Sequence, residues 1–94
     1  MAYNVTESAA RELSSLIYWR AELAHTRERY PDELDEVERC KKTIELCIFP
    51  ALDRLGVPFW VQNAALCWAE DWRNYVSRDF WRDMEKRGIY RAAA

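Results

Sequence analysis

The sequence predicts an all-α fold: an antiparallel hairpin of two long helices packed on a tryptophan-rich third helix. Three observations carry that expectation. Apolar residues recur at helical spacing in three stretches. Pro31 and Pro58 open the second and third stretches, and Gly56 and Gly88 close them, the usual placement of these residues about a helix. The 94 residues contain only two glycines and three prolines, too few for the turns of a β-sandwich. That length suits one domain, residues 1–94, and is too short for two.

The first helix is expected to begin at Asn4, with Glu7 completing a variant capping box, and to end near Arg29. Val5, Ala9, Leu13, Leu16, Ile17, Leu23 and Ala24 share one side, with Trp19 at its edge. Arg20 falls near the middle of that side. Its stem is expected to pack while its head reaches water, or else to meet a carboxylate that fixes helix register.

Pro31 is expected to start the second helix, with Asp32 and Glu33 in its first turn, where the helix dipole favours negative charge. Leu34, Val37, Ile44, Ile48, Leu52 and Leu55 define an inner face, with Ala51 at its edge. Pro50 lies within that pattern. It removes one hydrogen bond and crowds the carbonyl of Leu46, so a kink or short break is expected.

The stretch from Pro58 to Gly88 holds four of the five tryptophans. Val61, Ala65, Trp68, Trp72, Tyr75 and Val76 share a face, which then fails at Asp79 and Asp83. Phe80, Trp81 and Met84 lie about 120° around the cylinder. Two arrangements follow. Either the helix breaks at Ser77, which caps a short fourth helix folding back on the bundle. Or one continuous helix overhangs the hairpin and needs a partner for its second apolar face. Ile89 is placed for a contact after Gly88, and the tail from Ile89 to Ala94 is expected to fray.

Chemistry is sparse. No glycine-rich phosphate loop and no Gly-x-Ser-x-Gly is present. The only histidine follows Glu22 in Glu22-Leu23-Ala24-His25, the ligand spacing of ferritin-like di-iron bundles. Both side chains project away from the Leu13–Ile17 face, so a solvated pair is expected. Cys40 and Cys47 are separated by about 10 Å of helix, too far to share a tetrahedral metal, and Cys67 lies on another helix. All three cysteines are expected at the core edge, although Lys41 and Lys42 beside Cys40 favour its thiolate. No metal or cofactor is expected. Asp32, Glu33, Asp35, Glu36 and Glu38 form a solvated helix start or a docking patch for a basic partner.

Arginines and aromatics interleave in the C-terminal third, as in single-strand nucleic-acid binders. The acids among them, and a net charge of −2, cancel the field that phosphate binding needs. The odd cysteine count, without close pairs, points to a reducing cytoplasm. The first fifteen residues carry no secretory signal pattern, and no apolar run reaches membrane-spanning length. The function expected is a non-catalytic protein–protein interaction or assembly module, acting as a homodimer or as a small subunit of a larger complex. Its partner-binding residues are expected to be Phe80, Trp81 and Met84, rimmed by Arg78 and Arg82. A nucleic-acid-associated subunit and a ferritin-like metal protein assembled by dimerisation are the alternatives.

Overall fold

The computed structural model describes residues 3–92, and it is all-α apart from one short strand pair. Strand β1 (Tyr3–Val5) leads into α1 (Glu7–Arg29). A second helical rod follows: α2 (Leu34–Thr43), a π turn over Ile44–Ile48, and α3 (Phe49–Arg54). Then come α4 (Phe59–Trp68), a 3₁₀ turn (Trp72–Asn74), α5 (Arg78–Lys86) and strand β2 (Tyr90–Ala92). The helices run up, down, up and down in a flat body of 44 × 25 × 17 Å. No helix of the described residues is long and apolar enough to cross a membrane.

Helix α1 is the centre of the packing. It touches α2, α3, α4, the π turn and the 3₁₀ turn. Ala9, Leu13, Leu16 and Ile17 are fully enclosed, and Ala21, Leu23 and Thr26 are buried beside them. The cap of α1 is Thr6, not Asn4. The Thr6 hydroxyl accepts the Ala9 amide proton at 3.1 Å, while Asn4 belongs to β1. A strand claims the residues that a helix start would otherwise have used.

The hairpin joint is a β-turn. Pro31 occupies its second position, and the Tyr30 carbonyl accepts the Glu33 amide at 2.9 Å. Pro31, Asp32 and Glu33 therefore precede the helix rather than form its first turn. Leu34 is 71% exposed and does not join the inner face. Neither does Leu55, which also faces outward.

Pro50 does not break the rod. It follows the π turn, in which the Phe49 amide donates to Ile44, five residues back. The wider turn helps the chain pass the proline ring without losing the helix. It also serves the core. Cys40, Ile44, Ile48 and Leu52 are all buried at four-residue steps. In an unbroken α-helix each such step would drift by about 40°. The π turn winds more slowly and holds that stripe on one side.

Both glycines end helices in Schellman motifs, where a positive φ is required. Gly56 has φ 73° and Gly88 has φ 69°. Val57 donates back to the Leu52 carbonyl at 3.0 Å, and Ile89 to that of Met84 at 2.9 Å. The turn at Gly88 aims the chain along β1, so residues 90–92 are not frayed. They pair in parallel with β1, in register Tyr3 with Tyr90 and Val5 with Ala92. The last two residues lie outside the described ones.

The third helix stops earlier than the sequence suggests. Helix α4 ends at Trp68, and α5 begins at Arg78. Local side-chain bonds replace helical ones between them. Asp71 accepts the Arg73 amide at 3.1 Å and its guanidinium at 2.9 and 3.0 Å. The Asn74 side-chain amide Nδ2 donates to the Trp68 carbonyl at 3.0 Å, closing the end of α4. Segment α5 is the folded-back fourth helix. Ser77 precedes it without a side-chain capping bond.

The two capping readings separate by experiment. Thr6→Ala is expected to lower unfolding free energy by about 1 kcal/mol in urea. Asn4→Ala is expected to cost under about 0.5 kcal/mol. The reverse order would return the helix start to Asn4.

Candidate functional site

Two surfaces stand out: an apolar corner between α3 and α4, and a groove along α1. The C-terminal segment expected to bind a partner is not one of them. Phe80 is 1% exposed and Met84 2%, so both serve the core of the chain itself. Phe80 packs edge-on against Trp68 and Trp81, with ring centroids 5.9 and 5.0 Å away. Trp81 is half-buried, and its indole donates to the Ser14 hydroxyl at 3.4 Å. Arg78 and Arg82 are exposed beside Asp79, at 4.0 and 3.8 Å. The apolar face that shifts after residue 76 is the inward face of a separate helix. Tyr75 and Val76, expected to face inward, are exposed.

The corner forms around Gly56. Leu55, Phe59 and Trp60 are exposed there, Phe59 at 75%. On α4, burying Val61, Gln62 and Ala65 turns Trp60 to the opposite side and Phe59 to its flank, at 100° per residue. The corner is stiffly held. Gln62, buried beneath it, donates to the Val57 carbonyl at 3.0 Å and to the Asp53 carboxylate at 3.2 Å. Leu46 is a further outward apolar residue on the second rod, 69% exposed.

The groove follows from helical spacing. Tyr18, Glu22 and His25 stand at i, i+4 and i+7 on one ridge of α1. The 3₁₀ turn folds over this ridge and anchors through Trp72. The Trp72 indole donates to the Glu28 carboxylate. Its ring lies 4.7 Å from the His25 ring, and the Arg29 guanidinium sits 5.5 Å over it. His25 also meets Tyr30 edge-on at 5.7 Å. It is therefore half-buried among rings, not solvated. A cleft of about 290 Å³ opens between Tyr18, Glu22, His25, Trp72 and Tyr75. A second, of about 230 Å³, adjoins it on the side of Tyr30, Glu33 and Glu36.

Within one chain the groove does not gather a metal-ligand set. Among the described residues, no three His, Cys, Asp or Glu side chains are placed to hold one ion. Arg39 grips Glu36 with two hydrogen bonds, at 3.0 and 2.9 Å, which hold the Glu36 carboxyl below its usual range. Arg39 also lies 5.2 Å over the Trp19 ring. No carboxylate among the described residues pairs with Arg20. Arg20 is half-buried, yet its Nη1 is enclosed without a hydrogen-bond partner, as is the Trp68 Nε1.

Cys40 is buried, while Cys47 and Cys67 are exposed rather than at the core edge. Burial, reinforced by the negative charge of Glu36 and Glu22, pushes the Cys40 thiol up to about 11. Lys41 and Lys42 do not favour its thiolate, because adjacent helical residues point elsewhere. Compared with protein-family models, curated proteins and solved structures, the chain matches none.

Three outcomes follow. At pH 8 iodoacetamide should label Cys47 and Cys67 and reach Cys40 only after denaturation. A thiol whose folded pKa exceeds its ordinary value of 9.0 contributes stability in full below pH 9, and loses it as pH climbs through 11. The urea midpoint should fall across that window, by less in Cys40→Ala. Separately, Phe80→Ala should cost about 3–5 kcal/mol of stability, against under about 0.5 kcal/mol for Arg82→Ala. A stable Phe80→Ala chain that had lost only self-association would restore the outward reading.

Proposed function

We propose that this chain is a non-catalytic protein–protein interaction module that self-associates through the corner formed by Leu55, Phe59 and Trp60. The observation that supports this reading is the exposure of Phe59, at 75%, on a corner that Gln62 locks from beneath. A large aromatic left in water gains most by being covered, and aromatic anchors on rigid supports lose little entropy when they dock. Exposed Leu, Phe and Trp within residues 55–60 match the apolar centre of an interface better than a small-molecule cleft.

The C-terminal third gives little support to nucleic-acid binding. Arg73, Arg78, Arg82 and Arg87 each lie within 4.0 Å of an aspartate. A phosphate backbone would have to displace those partners.

The test is solution mass by light scattering across protein concentration. Wild type is expected to form a dimer, and Phe59→Ser with Trp60→Ser is expected to be monomeric with unchanged helicity. A wild-type chain that stays monomeric at millimolar concentration would remove self-association through this corner.

A further inference from the structure

We infer that the groove along Tyr18, Glu22 and His25 takes the cationic side chain of a basic peptide. This surface is separate from the apolar corner, and the inference does not rest on it. Three rings wall the 290 Å³ cleft: Tyr18, Trp72 and Tyr75. Aromatic faces carry negative electrostatic potential and attract guanidinium or ammonium groups placed over them. One of these rings already behaves so within the chain, since the Arg29 guanidinium lies over Trp72.

Glu22 supplies the charge. Glu22 lines both clefts, is half-buried, and makes no hydrogen bond or ion pair with the described residues. Arg39, the guanidinium whose charge acts on this region, is already engaged with Glu36. A half-buried glutamate beside rings, with no hydrogen-bonded or ion-paired cation among the described residues, is the complement of an arginine or lysine head. The volume suits one such group and is small for a drug-sized ligand. The adjoining cleft extends the same character, with Glu33 and Tyr30 on its wall. Two clefts that share the Glu22–His25 ridge suit an extended chain with spaced cations better than a free small cation. A divalent metal is a poor fit, because among the described residues no three His, Cys, Asp or Glu side chains are placed to hold one ion.

The experiment uses the full chain, ¹⁵N-labelled, titrated with a blocked Gly-Arg-Gly-Arg-Gly peptide. The same peptide with citrulline for arginine keeps the shape and removes the charge. Shifts are expected at the Tyr18, Glu22 and His25 amides and at the Trp72 indole N–H, with saturation for the arginine peptide alone. Glu22→Gln should weaken binding roughly tenfold, and Tyr75→Ala should weaken it several-fold. Glu38→Gln, an exposed acid outside the groove, should leave it unchanged. Equal binding of the citrulline peptide would overturn the inference. So would an equal loss in Glu38→Gln, shifts confined to other surfaces, or no shifts at millimolar peptide.

Discussion

Everything in this fold depends on enclosing α1. Leu13, Leu16 and Ile17 are fully shut off from solvent, and Ala9 lies with them. No single neighbouring helix could cover them together with Ala21, Leu23 and Thr26, which spread around the cylinder. The remaining chain must therefore wrap α1 from several sides, and its breaks are placed by that need. The β-turn at Pro31 brings the second rod down one side. The Schellman turn at Gly56 brings α4 up another. The 3₁₀ turn crosses the upper end, and α5 descends to seal the rest with Phe80 and Met84.

The same requirement accounts for the π turn. A chain of this size has little apolar surface to spare, and about 0.8 kcal/mol goes with each methylene group buried. The stripe Cys40, Ile44, Ile48 and Leu52 would rotate off α1 in a regular helix. Widening one turn keeps those four residues buried and also accommodates Pro50. One local irregularity thus answers a packing demand and a covalent one. Strand pairing between β1 and β2 plays a similar part at the lower end, holding together the two segments that flank the bundle.

Ala9, Leu13, Leu16, Ile17 and Leu23 of α1, and Ile44, Ile48 and Leu52 of the second rod, were legible as inward because their periodicity is set locally, whereas Leu34 and Leu55 at the rod's ends face outward. The all-α class was legible for the same reason. What could not be read was how far each period ran. Helix α4 ends at Trp68 because Asp71 and Asn74 find local partners and Trp72 finds Glu28, forty-four residues earlier in sequence. No window of sequence contains that last pairing. Extending α4 through Trp72 therefore put Tyr75 and Val76 inside. It also turned the core residues Phe80 and Met84 into a supposed outward face. Asn4 was misread for a like reason, since its strand partner lies at the other end of the chain.

Both candidate surfaces arise from that wrapping. Covering α1 with short segments leaves corners, and residues at a corner cannot all turn inward. Phe59 and Trp60 are outward because Val61, Gln62 and Ala65 take the inward positions. The ridge Tyr18, Glu22 and His25 is the side of α1 that α4 does not reach. The 3₁₀ turn covers that ridge only in part, reaching it through Trp72, and so leaves a groove instead of a sealed interface. Glu22 and His25 looked like a water-facing pair in sequence because the helix carrying them gave no sign of this second layer. Once Trp72 crosses over, the same spacing places a carboxylate at the foot of an aromatic wall. The chemistry of the groove is therefore a property of the tertiary fold, and Trp72 is the residue on which it turns.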